Sequence, residues 1–462
     1  MTLIKSISGI RGTIGGSQGE NLTPIDAVKY AAAYGSWVKK QRQKEEYRVV
    51  VGRDARISGE MVQQLVMNTL VGMGIHVIDL NLSTTPTVEM AVMMEHADGG
   101  IILTASHNPK QWNALKLLNK DGEFLNAEAG QEILNIAEAE NINFSEVDDL
   151  GKITTNDAYI DLHIDEILEL PLVNTSAIKK ANLKVVVDGV NSTGGIAIPL
   201  LLKALGVQTV ELFCEPTGEF PHNPEPLKEH LTDLMEKVVN ENADFGIVVD
   251  PDVDRLAFVD EKGEMFGEEY TLVAVADYVL QHNPGNTVSN MSSSRALRDV
   301  TEKHNGTYTA SAVGEVNVVQ KMKDTKAVIG GEGNGGIIYP ELHYGRDSLV
   351  GVALFLSHLA EEKISVSELR TRYPSYYMSK KKIELTPQLD VDKILKSIES
   401  KYASEEINTL DGVKIDFAEN WVHLRKSNTE PIIRIYTEGP SQKDADTLAD
   451  RFITEIKAVA EN

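Results

Sequence analysis

GGIILTASHNP, residues 99–109, is the stretch on which the fold turns. A short continuous apolar run bounded by turn residues reads as a strand buried on both faces. Such a strand needs no serine at its tip. Two readings of Ser106 stand side by side. It is a helix N-cap or turn serine, with Asn108-Pro109 as turn punctuation, or it is a hydroxyl nucleophile beside the His107 imidazole. It is not the nucleophile elbow of an α/β-hydrolase, because G-x-S-x-G is absent.

The same device recurs along the chain. Residues 48–51 lead into Gly52-Arg53-Asp54, and 185–187 into Asp188-Gly189-Val190-Asn191. Residues 247–249 lead into Asp250-Pro251-Asp252-Val253-Asp254, and Val328-Ile329 into GGEGNGG. In each case a helical pattern is expected to follow. Apolar strands alternating with helices imply an α/β fold with mostly parallel, mixed sheets. Three similar units are expected over residues 1–150, 151–255 and 256–370. From residue 371 onward a basic run, a helical stretch, a short hairpin near Gly412 and a strand at 421–424 imply a smaller α+β unit, 371–462. Ligands of parallel sheets bind beyond the carboxyl ends of the strands, and nearly every unusual motif sits there.

Composition sets the bounds. The 462 residues exceed what one hydrophobic core supports. No apolar run approaches the roughly 18 residues of a membrane helix, and the N-terminus has no apolar core of a secretory signal. Neither a membrane nor a nucleic-acid partner is expected, the latter because the net charge is −24. Cys214 is the single cysteine, so no internal disulfide forms and a reducing cytoplasm fits.

Asp250, Asp252 and Asp254 are spaced by two, which on an extended segment puts three carboxylates on one side. Like charges that close call for a cation, and oxygen donors favour Mg²⁺ or Ca²⁺. An EF-hand is excluded: Glu261 falls at the twelfth position, but Arg255 replaces the sixth-position glycine. The alternative is a solvated acidic turn. Arg425, Ser427, Asn428 and Thr429 gather a guanidinium, two hydroxyls and an amide on one loop, which suits a phosphate or forms an ordinary polar turn closed by Pro431. GEGNGG, residues 331–336, lacks the ending of a P-loop. Its carboxylate, Glu332, suits sugar hydroxyls.

Taken together and in this order, the motifs resemble the α-D-phosphohexomutase superfamily, which includes phosphoglucomutases, phosphomannomutases and phosphoglucosamine mutases. SGIRG (8–12) resembles its opening substrate loop, TASHNP its phosphoserine loop and DPDVDR its metal loop. GEGNGG resembles its sugar loop and RKSNTEP its phosphate-binding loop. The resemblance covers the whole chain and implies four domains around a central active-site cleft. It also implies phosphoryl transfer through Ser106 and a hexose 1,6-bisphosphate. One Mg²⁺ per chain would lie on Ser106, Asp250, Asp252 and Asp254. Arg11, His107 and Lys116 would serve the reacting groups. Arg255, Glu332, Asn334, Arg425, Ser427, Asn428 and Thr429 would bind substrate. A monomer or homodimer acting on a small sugar phosphate is expected. Two departures stand out. Asn334-Gly335-Gly336 replaces the serine-glycine-histidine of many bacterial members, and Ser292 to Ser294 replace a segment that carries a lysine in many others. GEGNGG is similar to the phosphoglucosamine-mutase-like branch, and the two departures together favour glucosamine 6-phosphate and 1-phosphate. A broad phosphoglucomutase/phosphomannomutase is the alternative, and a metal-dependent sugar-phosphate phosphatase comes behind it.

Overall fold

The computed structural model describes residues 2–6, 9–384, 390–426 and 432–460. Four sheets succeed one another along the chain. The first has seven strands, ordered Ile4–Ser6, Gly9–Thr13, Trp112–Leu118, Gly99–Leu103, Tyr47–Arg53, Ile75–Leu82 and Ile153–Thr155. Gly99–Leu103 lies parallel to Tyr47–Arg53 and antiparallel to Trp112–Leu118. The second sheet, four-stranded, places Phe245–Val249 parallel to Lys184–Asp188 and antiparallel to Leu256–Asp260. The third repeats this plan: Ala327–Glu332 is parallel to Asn286–Asn290 and antiparallel to Gly336–Ile338. The last sheet has five strands, all antiparallel, with Val391–Lys401 and Gln442–Ala460 as its principal helices.

The strand alternation is visible in the packing. Val49 and Val51 point into one core of the first unit, while Val50 points into the other. Both faces are covered by helices, which is why the strand is apolar throughout. The second and third units share one continuous core through the helix Ser348–Glu362. There Phe355 stacks on Phe258 with ring centroids 3.8 Å apart.

Two expectations need correction. After Gly99–Leu103, Phe245–Val249 and Ala327–Glu332 the chain returns as an antiparallel strand, not as a helix. Helices do follow Tyr47–Arg53 and Lys184–Asp188. A division after residue 255 also runs through the hairpin formed by Phe245–Val249 and Leu256–Asp260. The gain from this is positional. In each of the first three units the motif loop (104–111, 250–255, 333–335) is the turn of a hairpin at the carboxyl end of a parallel strand.

Candidate active site

Ser106 has φ +48°, is buried, and is followed by the strand Trp112–Leu118. Helix capping is thereby excluded, because an N-cap residue is extended and precedes a helix. A non-glycine residue in the left-handed region costs roughly 1–2 kcal/mol, so neighbours must hold it there. Thr104 Oγ1 accepts from the Ser106 amide at 2.9 Å. The buried Arg56 guanidinium donates to the carbonyls of Ser106, Asn108, Pro109 and Trp112, at 2.5, 2.7, 2.8 and 2.9 Å. Arg56 is in turn fixed by Asp54 at 3.0 Å. The loop is wrapped around one guanidinium, and the Ser106 hydroxyl is left to donate to Asp250 Oδ2 at 2.7 Å.

The three aspartates converge in space, all fully buried. They do so through a turn rather than through strand alternation. Val253 has φ +65°, and Asp250 Oδ1 accepts the amides of Asp254 and Arg255, both at 3.1 Å. The Ser192 and Thr193 hydroxyls hold the Pro251 carbonyl at 2.7 and 2.9 Å. Thr85 of the first unit donates to Asp252 Oδ2 at 2.7 Å. Burial and the charges of Asp252 and Asp254 push the Asp250 carboxyl well above its usual range. Asp252 Oδ1 and Asp254 Oδ1 are buried with no hydrogen-bond partner among the described residues. Crowded carboxylates with two unpaired oxygens fit a hard divalent cation, so this group is placed to bind a metal ion.

Lys116 reaches the same cluster, 2.7 Å from Asp252 and 3.5 Å from Asp254. Its position follows from register, since Lys116 pairs with Ile102, two residues before the Ser106 loop. Burial alone would lower its pKa, but Asp252 and Asp254 raise it, and the ammonium persists. His107 Nδ1 lies 3.4 Å from Ser106 Oγ. Burial, Arg255 and Arg11 lower the imidazole to about 2, so it is neutral. Arg11 donates to Asn108 Oδ1 at 2.9 Å, and Arg255 pairs with Glu225 at 3.1 Å.

The sugar-type loop joins this network through a residue the sequence reading did not single out. Arg346 pairs with Asp254 at 2.6 Å, Glu315 at 3.0 Å and Glu332 at 3.1 Å. A Cβ added at Gly336 would lie 2.3 Å from Arg346 Cδ, so the guanidinium arm fills the space a side chain there would need. Glu332 also accepts from Asn290 at 2.8 Å and Gly314 at 3.2 Å. Burial opposes its ionisation, but Arg346 and Asn290 hold it below the usual carboxylate range. Asn334 accepts from the Gly336 amide at 3.2 Å within its own loop.

The serine segment makes structural contacts. Ser292 bonds His423 of the last unit at 2.9 Å, Ser293 receives the Gly333 amide at 3.0 Å, and the Ser294 amide donates to Glu269 at 2.9 Å. Arg425 lies on the strand Trp421–Lys426, 2.8 Å from Asp411. Among the described residues no contact joins Arg425 to the Ser106 cluster, and Ser427, Asn428 and Thr429 lie outside the described residues. Arg56, Thr85 and Arg346 carried no local motif. Only their distant partners mark them.

Comparison with known proteins agrees along the whole chain. Family models described as phosphoglucomutase/phosphomannomutase alpha/beta/alpha domains I, II and III match residues 3–143, 161–263 and 267–376. The model of the C-terminal domain matches 380–455. A phosphoglucomutase/phosphomannomutase of Thermococcus kodakarensis is 36% identical over 440 residues, covering 94% of this chain and 95% of its own. A phosphoglucosamine/phosphogalactosamine mutase of Sulfurisphaera tokodaii is 34% identical over 461 residues, covering 98% of each. Among solved structures, a phosphoglucomutase/phosphomannomutase family protein of Burkholderia thailandensis aligns with a TM-score of 0.85 at 26% identity. That alignment covers 99% of this chain and 98% of the other.

Proposed function

The chain belongs to the α-D-phosphohexomutase superfamily of intramolecular phosphotransferases, and from that premise we propose that it interconverts glucosamine 6-phosphate and glucosamine 1-phosphate in the cytoplasm. The observation that carries the chemistry is the Ser106 hydroxyl, 2.7 Å from the first carboxylate of an aspartate cluster with two unpaired oxygens.

In this mechanism Ser106 Oγ carries the phosphoryl group. The bond from phosphorus to Oγ breaks as a bond to the sugar hydroxyl oxygen forms, giving the 1,6-bisphosphate. The other phosphate then returns to Oγ. Asp250, Asp252 and Asp254 would hold Mg²⁺, which offsets charge on a transferring phosphoryl group. Arg11, His107 and Lys116 are the candidates for handling the sugar-hydroxyl proton. Lys116 is an ammonium held by Asp252 and Arg11 is a guanidinium, which leaves neutral His107 for the proton. A phosphoryl group on Ser106 adds close to two negative charges beside the imidazole and raises its basicity. Arg255, Glu332, Asn334, Arg425 and the loop 427–429 are assigned to the substrate.

The glucosamine assignment is supported by the loop 331–336 and by the named activity of the Sulfurisphaera relative. A second reading, broad phosphoglucomutase/phosphomannomutase specificity, has its own observation. Glu332 is already engaged by Arg346, Asn290 and Gly314, which limits its use toward an amino group. The test is kcat/KM for glucosamine, glucose and mannose phosphates under one metal and bisphosphate condition, with inorganic phosphate followed in parallel. Glucosamine phosphate is expected to lead. A tenfold preference for glucose or mannose phosphate removes that assignment, and stoichiometric phosphate release without isomerisation removes the mutase.

A further inference from the structure

Behind the metal loop lies a second cluster that the chemistry above does not use. His163 Nε2 is 3.0 Å from Asp347 Oδ2, and His343 Nε2 is 3.2 Å from the same oxygen. All three side chains are buried, and their ligand-type atoms lie within 4.8 Å of one another. They come from distant places: the helix Tyr159–Glu169 and the segment leading into the helix Ser348–Glu362. A third element, the helix Thr85–Met94 of the first unit, supplies the outer contacts. Thr87 Oγ1 is 3.0 Å from His163 Nδ1, and Glu89 Oε2 is 3.4 Å from His343 Nδ1.

We propose that His163, His343 and Asp347 form a structural site for a transition-metal dication, Zn²⁺ foremost, that ties the first three units together beneath the active site. Three features of the geometry point the same way. Tetrahedral coordination with bonds of about 2.0–2.1 Å separates neighbouring donors by about 3.3 Å, close to the two separations above. Imidazole donors favour Zn²⁺ and its neighbours, whereas the all-oxygen triad favours Mg²⁺. Each histidine has its second nitrogen facing an outer partner, the arrangement that fixes ring orientation in metal sites. Asp347 is set the same way, its Oδ1 accepting the Leu349 amide at 2.7 Å.

Glu89 gives an independent observation. It is 1% exposed, and neither carboxylate oxygen has a hydrogen-bond partner among the described residues. A Cβ added at Gly345 would lie 1.8 Å from its Oε2, so the chain closes tightly over it. An unpaired buried carboxylate is costly. A dication on the Nε2 atoms turns both Nδ1–H groups outward, so that His343 donates to Glu89. The two positive charges then balance Glu89 and Asp347. Without an ion, Asp347 Oδ2 takes both Nε2–H groups and Glu89 is left without a donor. The site also borders the catalytic loop: the Thr85 amide donates to the Asp252 carbonyl at 2.9 Å, and the Ser348 amide to the Val253 carbonyl at 3.2 Å.

The experiment is zinc binding to the chelator-stripped full chain, by equilibrium dialysis with Mg²⁺ in large excess and by unfolding temperature. Wild type and Asp250→Asn/Asp252→Asn are expected to retain one Zn²⁺ per chain and to gain stability from it. His163→Asn/His343→Asn is expected to retain none. Glu89→Gln keeps every ligand and is expected to bind zinc roughly 10–100-fold more weakly, which decides the matter should the double variant fail to fold. Wild type that retains no zinc overturns the site and leaves a His–Asp–His hydrogen-bond network. So does equal retention in the histidine variant, or Glu89→Gln affinity equal to wild type.

Discussion

The aspartate cluster and the His163–His343–Asp347 cluster rest on successive turns of one helix, Thr85–Met94, yet they are built to opposite plans. Thr85 steadies Asp252 on one side, and Thr87 and Glu89 face the two histidines on the other. The first cluster has oxygen donors only, two unpaired oxygens, a serine hydroxyl in contact and a lysine and an arginine competing for its charge. The second has two imidazoles and a carboxylate with its other oxygen tied to a helix amide. Unpaired atoms beside exchangeable cations suit a site through which charge passes. Outer partners on every ring suit a site that holds still.

The contrast breaks most severely at Ser106. Ser106→Ala is expected to cut turnover by about three to four orders of magnitude. The unfolding temperature should stay near wild type, and intact mass should show no removable phosphate on the variant. Turnover like wild type ends the covalent route. Next in size is Arg346→Gln. It leaves Asp254, Glu315 and Glu332 buried without their shared cation, which costs about 3–5 kcal/mol of stability by urea denaturation. A change below about 1 kcal/mol means that Arg346 does not balance those carboxylates. Asp252→Asn comes third. It removes a metal donor and the nearer partner of Lys116, and turnover should fall roughly a hundredfold with a raised Mg²⁺ requirement. An unchanged Mg²⁺ titration places the ion elsewhere.

The smallest effect comes from Glu269, which belongs to neither cluster and shows how a carboxylate behaves with neither ion nor imidazole beside it. Burial raises it to about 8 despite Lys380. Its folded pKa lies above its unfolded one, so the native state keeps a proton that the unfolded chain releases. Stability therefore declines as pH rises from about 4.5 to about 8. Glu269→Gln should flatten that slope and leave stability at pH 4 unchanged. An identical slope in the variant assigns it to another group.

What the sequence reveals here follows the range of the contacts. Ser106 and Asp250 are legible because short spacing and strand ends betray them, whereas Lys116 is reached only through the family resemblance. Arg56 and Arg346 are not legible, because what ties them to the site lies far along the chain, Ser106 some 50 and Asp254 some 92 positions away, and no periodicity marks a lone arginine. The return strands at 112–118 and 336–338 were hidden for another reason: a hairpin partner in a mixed sheet has the same apolar texture as the parallel strand before it. The serine segment shows the same limit: nothing local foretells that Ser292 binds His423, 131 positions away, or that Ser293 holds Gly333.

The crowding between Gly336 and Arg346 reaches beyond this one chain. With 2.3 Å between a would-be Cβ and the arginine arm, the two positions cannot be inherited independently. A descendant that gains histidine at 336 before losing the arginine must displace the Arg346 side chain from its three carboxylates. One that loses the arginine first must carry three buried acids without their counterion. The route between the two forms of the sugar loop therefore runs through a double change or a compensating neighbour. Lineages on either side of it should stay apart long after the rest of their sequences have drifted.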